Sequence, residues 1–235
     1  MDSNPFLTRG IEDVKRGEQA MTLNGTIHRT GILLLICLFS GYYAWTNNLS
    51  LGAALVAVLT AFVLAMVGIF KAEWTPVIAP GYACLEGLAL GSISLLYNTK
   101  YPGIALNAGL LTATVLFCML GLYYTRIVKV TQQLYTGIIA ATFAVAVVYG
   151  IDLLLNFWGL KVPFIHDTGW LGITVSLITT GIASANLLLD FDMIERGIND
   201  RQPKYMQWYC GMGLLITLVW VYLELLRLLS KFGKR

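Results

Sequence analysis

The sequence predicts an all-α membrane protein with seven transmembrane helices, and three observations carry that prediction. Apolar residues make up 57% of the 235 positions. Charged residues make up only 12%, where a soluble domain carries about 25%. The mean hydropathy is +0.70, and the apolar residues arrive in long uninterrupted blocks. Together these exclude a soluble enzyme, an intrinsically disordered chain and a secreted disulfide scaffold. The formal charge of +3 is too small and too scattered for a nucleic-acid surface, so no nucleic-acid partner is expected. Cys37, Cys84, Cys118 and Cys210 sit singly inside apolar blocks and read as buried thiols, with no zinc spacing and no cofactor implied.

A bilayer core of ~30 Å needs about 20 apolar residues in a helix, so the chain is cut wherever charges interrupt the runs. The spans fall near 30–45, 51–70, 77–97, 104–124, 133–155, 169–189 and 208–229. Aromatic residues mark the cuts, among them Tyr43, Trp45, Trp74, Tyr101, Tyr124, Trp158, Trp170 and Trp208, as expected at headgroup level. Residues 1–29 form a polar segment with Arg9, Lys15, Arg16 and Arg29, whereas the loop after the first span holds no Lys or Arg. The positive-inside rule therefore puts the N-terminus in the cytoplasm, although Arg227, Lys231, Lys234 and Arg235 at the opposite end count against it. The start does not resemble a cleavable signal. The organisation is a polar segment 1–29, one membrane domain over 30–230 and a basic tail 231–235, with the longest loop near 190–207. A bacterial inner membrane suits the short loops and the lack of organelle signals.

A charge in hydrocarbon costs at least ~2.5 to 3.5 kcal/mol, which makes each ionisable residue within a span a functional candidate. Glu86 falls about nine residues into the third span, near the midplane. It is either a protonated acid bonded to a neighbouring helix or part of an ion or proton path. Gly87 and Gly91 beside it form a G-x-x-x-G pair that lets another helix approach and supply the partner. Asp152 reads as a solvated helix end. Glu224 and Arg227 are three apart on one face and can neutralise each other. Lys71, Asp190 and Asp192 share one membrane side by alternation of the spans. Asp190 and Asp192 stand about 200° apart around their helix, so only one faces the bundle, and Asp192 is expected to be that one.

The chain resembles the bacterial members of the Bax inhibitor family of seven-helix membrane proteins over about residues 21–232. The resemblance rests on Met21-Thr22-Leu23-Asn24-Gly25-Thr26, on the run from Gly81 to Gly87, on Leu189-Asp190-Phe191-Asp192-Met193-Ile194, and on the run from Thr217 to Leu229. It implies six helices wrapped around a central seventh and a pH-sensitive calcium leak across the membrane, without enzymatic activity. It also implies a pH-sensor role for Asp192, with Lys71 as the basic latch of the closed pore. The sensor's usual partner, an aspartate in the middle of the seventh helix, falls on Thr217, which cannot share a proton with a carboxylate. Asp190 replaces it if the sixth helix unwinds at its end, and Glu86 is the other candidate.

The expected function is a passive cation pathway for calcium or protons: Asp192, Asp190 and Lys71 form the pH sensor and gate, calcium binds transiently at Asp192, and Glu86, Thr217 and Glu224 lie along the path. The alternative from another class is an interaction protein that regulates a membrane partner such as a quality-control protease, with residues 1–29 as the contact. An intramembrane hydrolase has little support, because His28 and His166 both lie outside the expected spans. A retinal protein is not expected, because the last span, 208–229, holds no lysine for a Schiff base.

Overall fold

The computed structural model describes residues 20–159 and 169–233, apart from the side chain of Phe157. The expected contributions of Arg9, Lys15, Arg16, His166, Lys234 and Arg235 lie outside the described residues. The helices are α1 (Leu23–Thr46), α2 (Leu51–Phe70), α3 (Thr75–Lys100), α4 (Ile104–Tyr124), α5 (Gln132–Phe157), α6 (Trp170–Asn199) and α7 (Met206–Phe232), with a 3-10 turn over Ala72–Trp74. All are long and apolar enough to cross a membrane. We call the side on which α1 begins the near side and the opposite one the far side.

Local chemistry sets several of the helix starts. Thr22, Ser50 and Thr131 each accept a hydrogen bond from the backbone N–H three residues on, satisfying a donor that the first helical turn leaves free. The turn from α3 into α4 needs a left-handed residue and takes Gly103 at φ 86°, with its N–H bonded to Asn98. Two boundaries depart from expectation. α1 begins seven residues before Thr30, because Thr22 caps it and its first turn is packed against α7. α6 runs on to Asn199, so the long loop expected over 190–207 is mostly helix. Twenty residues from Trp170 already span the hydrocarbon, so the last turns of α6 project beyond it. There Asp192 and Arg196 pair at 2.7 Å with i,i+4 spacing and support the extension.

α7 is the central helix, buried on almost all sides. It packs against α1, α3, α4 and α6, while α2 joins mainly through α3 and α5 mainly through α6. The wrapping expected of the six helices is therefore four direct neighbours and two outer ones. The outward faces of α2, α4 and α5 carry Leu55, Phe62, Phe70, Phe117 and Phe143, all exposed, as helices facing lipid should. Cys37 and Cys210 are buried as expected, but Cys84 and Cys118 are exposed on outward faces. Ser230 and Lys231, assigned to a tail or its border, are buried in the last turns of α7, where Lys231 donates to the Gly172 carbonyl at 2.7 Å.

The closest helix pair is α1 with α3. A methyl at Gly87 would collide with Ser40 and the Cys37 carbonyl, and one at Gly91 with the Gly41 backbone. The G-x-x-x-G pair thus brings two backbones together, as its spacing predicts. The segment Met21–Thr26 gains its reason here too. The Met21 N–H bonds the Gln202 carbonyl at 2.7 Å, Met21 packs on Ile194 and Cys210, and Gln207 of α7 donates to Thr22 at 3.1 Å. Arg29 donates to the Gly25 carbonyl and to Gln207, and stacks 5.4 Å from the Trp208 ring. Gly25 leaves the room that Gln207 fills.

Gly91→Ala places a methyl against the Gly41 backbone and should cost about 1–3 kcal/mol. Gly137→Ala, on α5 with open space around it, should be neutral or slightly stabilising. Thermal unfolding in detergent micelles compares the two, and equal melting temperatures would contradict the α1–α3 contact.

Candidate functional site

The charged side chains within the helices gather at two levels of the α6–α7 interface. At the far level Glu224, 1% exposed, points from α7 toward α5 and α6. Its carboxylate accepts from the Tyr149 hydroxyl at 2.9 and 3.1 Å, from Thr179 at 2.9 Å and from the Trp220 indole N–H at 3.2 Å. Arg227 completes the cluster, donating to both carboxylate oxygens at 3.2 and 3.3 Å and to Tyr149, with its guanidinium 4.6 Å from the Tyr149 ring. The Glu224–Arg227 pairing expected from spacing is present. Its other members, Tyr149 and Thr179, come from different helices, and no spacing in the sequence points to them.

At the near level the two aspartates of α6 part company. Asp190 is three residues after Leu187 and four before Ile194, both buried, so it shares their face toward α7. There it lies within hydrogen-bonding reach of Thr217, while its Oδ2 is buried without a partner. It lines a cavity of about 130 Å³ closed by Gly68 of α2 and by Cys210, Met212 and Gly213 of α7. Asp192 instead lines a second cavity, of about 200 Å³, among Tyr135 of α5, Arg196 and Asp200. The expectation that Asp192 faces α7 is corrected: Asp190 takes that place, beside the very Thr217 that stands where the family's second acid was expected. Helical twist is the cause, since residues two apart cannot share a face.

The latch is corrected as well. Lys71 caps α2 with an exposed side chain, while the cation on Asp192 is Arg196, one turn along the same helix. An i,i+4 Asp–Arg pair is readable in the sequence and was the missed signal. Nearby, Glu195 accepts from Tyr123 and pairs with Arg126 at 2.9 Å, tying α4 to the end of α6.

Glu86 stands apart. It is half-buried beside α1, and its hydrogen-bonding partner is Tyr82, one turn back on its own helix rather than across the glycine contact. Sequence reasoning also missed a stripe of buried hydroxyls on α6 that runs from the far level toward the near one: Ser176, Thr179, Thr180 and Ser184. Their three- and four-residue spacing was the available signal. Thr180 and Ser184 bond carbonyls one turn back, which keeps them satisfied without a partner helix. Below the stripe, Leu187 packs with Leu214 and Leu218 and separates the levels. Among the described residues no group of three or more His, Cys, Asp or Glu could hold a metal ion, and His28 is an exposed residue of α1.

A seven-helix bundle with buried carboxylates at two depths defines an integral, multi-pass membrane protein. The chain belongs to the Bax inhibitor 1 like family, whose model matches residues 4–234, nearly its whole length. No curated protein matched the chain in a sequence search.

Tyr149→Phe removes a donor from a buried carboxylate and should cost about 1–3 kcal/mol. Because α5 packs chiefly on α6, the loss should appear as faster hydrogen exchange across α5, with α1 and α3 unchanged. Uniform exchange in variant and wild type would mean that the cluster does not hold α5.

Proposed function

We propose that the protein is a pH-sensitive passive cation leak, conducting calcium, whose gate lies at the near end of α6, facing the cytoplasm of a bacterial inner membrane. The observation that carries this reading is Asp190, which lines a cavity against α7 and whose Oδ2 is buried without a hydrogen-bond partner. A hard divalent cation prefers oxygen ligands, and a carboxylate oxygen without a donor is one that can accept either a proton or a cation. Asp192 lies in the neighbouring cavity as the outer site, held by Arg196 rather than by Lys71.

The path then follows α7. From Asp190 and Thr217 it crosses the level of Leu187 and Leu218, meets the hydroxyl stripe of α6 and reaches Glu224, about 10 Å beyond Thr217. Leu187, Leu214 and Leu218 form a buried apolar cluster across this level, and on this reading they are the barrier between the two polar levels. Loss of the Asp192 charge, which Asp192→Asn imitates, dissolves its pair with Arg196 and removes the charge that draws a cation to the gate. Glu86, away from this interface, has no place on the path. The family's known character agrees with a conducting or regulatory membrane protein rather than an enzyme.

Calcium entry into proteoliposomes across a pH series tests the reading. Asp190→Asn should abolish most of the flux, Asp192→Asn should flatten its pH dependence, and Leu187→Ala should raise the basal leak. Glu86→Gln should behave as wild type. Absence of flux above empty liposomes at every pH would overturn conduction and favour the regulatory alternative, in which residues 1–29 are the contact for a membrane partner such as a protease.

A further inference from the structure

Opposite the carboxylates, the bundle is open. α1 and α4 share no substantial contact, and between them lies a cleft of about 740 Å³ that reaches the central helix. Its floor is apolar α7 surface around Leu215 and Val219, ending at Tyr222, whose hydroxyl is paired with Ser94 at 2.6 Å. Gly109 of α4 widens it, since a Cβ at this lining position would meet nothing within 4 Å. The volume falls within the range of ligand-binding pockets, roughly 300–1,000 Å³.

We propose that this cleft seats one acyl chain of a membrane lipid from the far leaflet. Three features select that occupant. The cleft runs along α1 from Leu34 to Trp45, which at 1.5 Å per residue is about 16 Å. One leaflet contributes about 15 Å, half of the ~30 Å hydrocarbon core. Tyr42 and Trp45 stand at its far end, where indole and phenol rings meet lipid headgroups, so a chain would enter with its headgroup beside them and its methyl end near Leu116. A helix from a second copy would span the whole bilayer and does not match the half-span length.

The test uses vesicles of phosphatidylethanolamine and phosphatidylglycerol doped with a phospholipid bearing a diazirine midway along one chain. After photolysis, adducts should concentrate in the α1 and α4 peptides that line the cleft. Gly109→Phe projects a ring into the cleft from a position whose Cβ meets nothing within 4 Å, and should remove most of this labelling. Gly121→Phe, equally open but outside the cleft, should retain it. Melting temperatures close to wild type establish that both variants fold, and the wild-type labelling pattern tests the proposal even without them. Labelling spread evenly over the outward faces of α2 and α5, or persisting in Gly109→Phe, would overturn the proposal. So would crosslinks joining two copies of the chain through the cleft.

Discussion

Lipid offers no hydrogen bond, so every polar group on a helix at the centre of this bundle must find its partner within the protein. That constraint organises α7 and, through it, most of the fold. Glu224 draws a tyrosine from α5, a threonine from α6 and an arginine from its own next turn. Gln207, 1% exposed, draws Thr22 and Arg29 from the start of α1. α5 shows the effect most clearly. Its side chains face mostly outward, and what ties it in includes the Tyr149 hydroxyl and a bond from Asn186 to Thr142 at 2.8 Å. For α5, polar satisfaction supplies much of the attachment that apolar burial supplies elsewhere.

Among the described residues Arg29 Nε, Thr30 Oγ1 and Asp190 Oδ2 are buried side-chain atoms without a partner, and the last, a carboxylate oxygen, gives the site its meaning. An unpaired buried acceptor costs free energy comparable to a lost hydrogen bond or more. Its neighbour on α7, Thr217, occupies the position where a second carboxylate would make a proton-sharing pair. With a hydroxyl there, the two-acid device is replaced by one acid and one weak donor. Asp190 is the one carboxylate lining its cavity, so on the proposed reading the chemistry there reduces to occupancy of a single oxygen pair.

Much of the fold was legible in the sequence, because hydrocarbon thickness leaves little freedom. All seven spans and the Gly87–Gly91 approach follow from length, apolarity and small-residue spacing. The ends were less legible. The polar start of α1 and the charged end of α6 are helical because Gln207 and Arg196 satisfy them, and the first of these is a tertiary contact. The site was legible as a set of carboxylates but not as an arrangement. Only one of Asp190 and Asp192 could face α7, and choosing between them required the buried neighbours Leu187 and Ile194. Arg196 was within reach of sequence reasoning at four residues' distance. Tyr149 and Thr179, more than forty residues from Glu224, were not.

The two flanks of α7 explain why one side of the bundle is closed and the other open. Thr217 and Glu224 are seven apart and share a face, as do Leu215 and Tyr222, and the two pairs are offset by two residues, or about 200° around the helix. The first face carries polar groups and has to be covered by protein, so α5 and α6 close over it with hydroxyls at the required places. The second face is apolar down to Tyr222, which Ser94 already satisfies. Nothing on it loses a hydrogen bond when lipid replaces protein, so α1 and α4 can stand apart at almost no cost. The distribution of polarity around one helix thus decides which of its neighbours must pack and where the membrane itself can complete the wall.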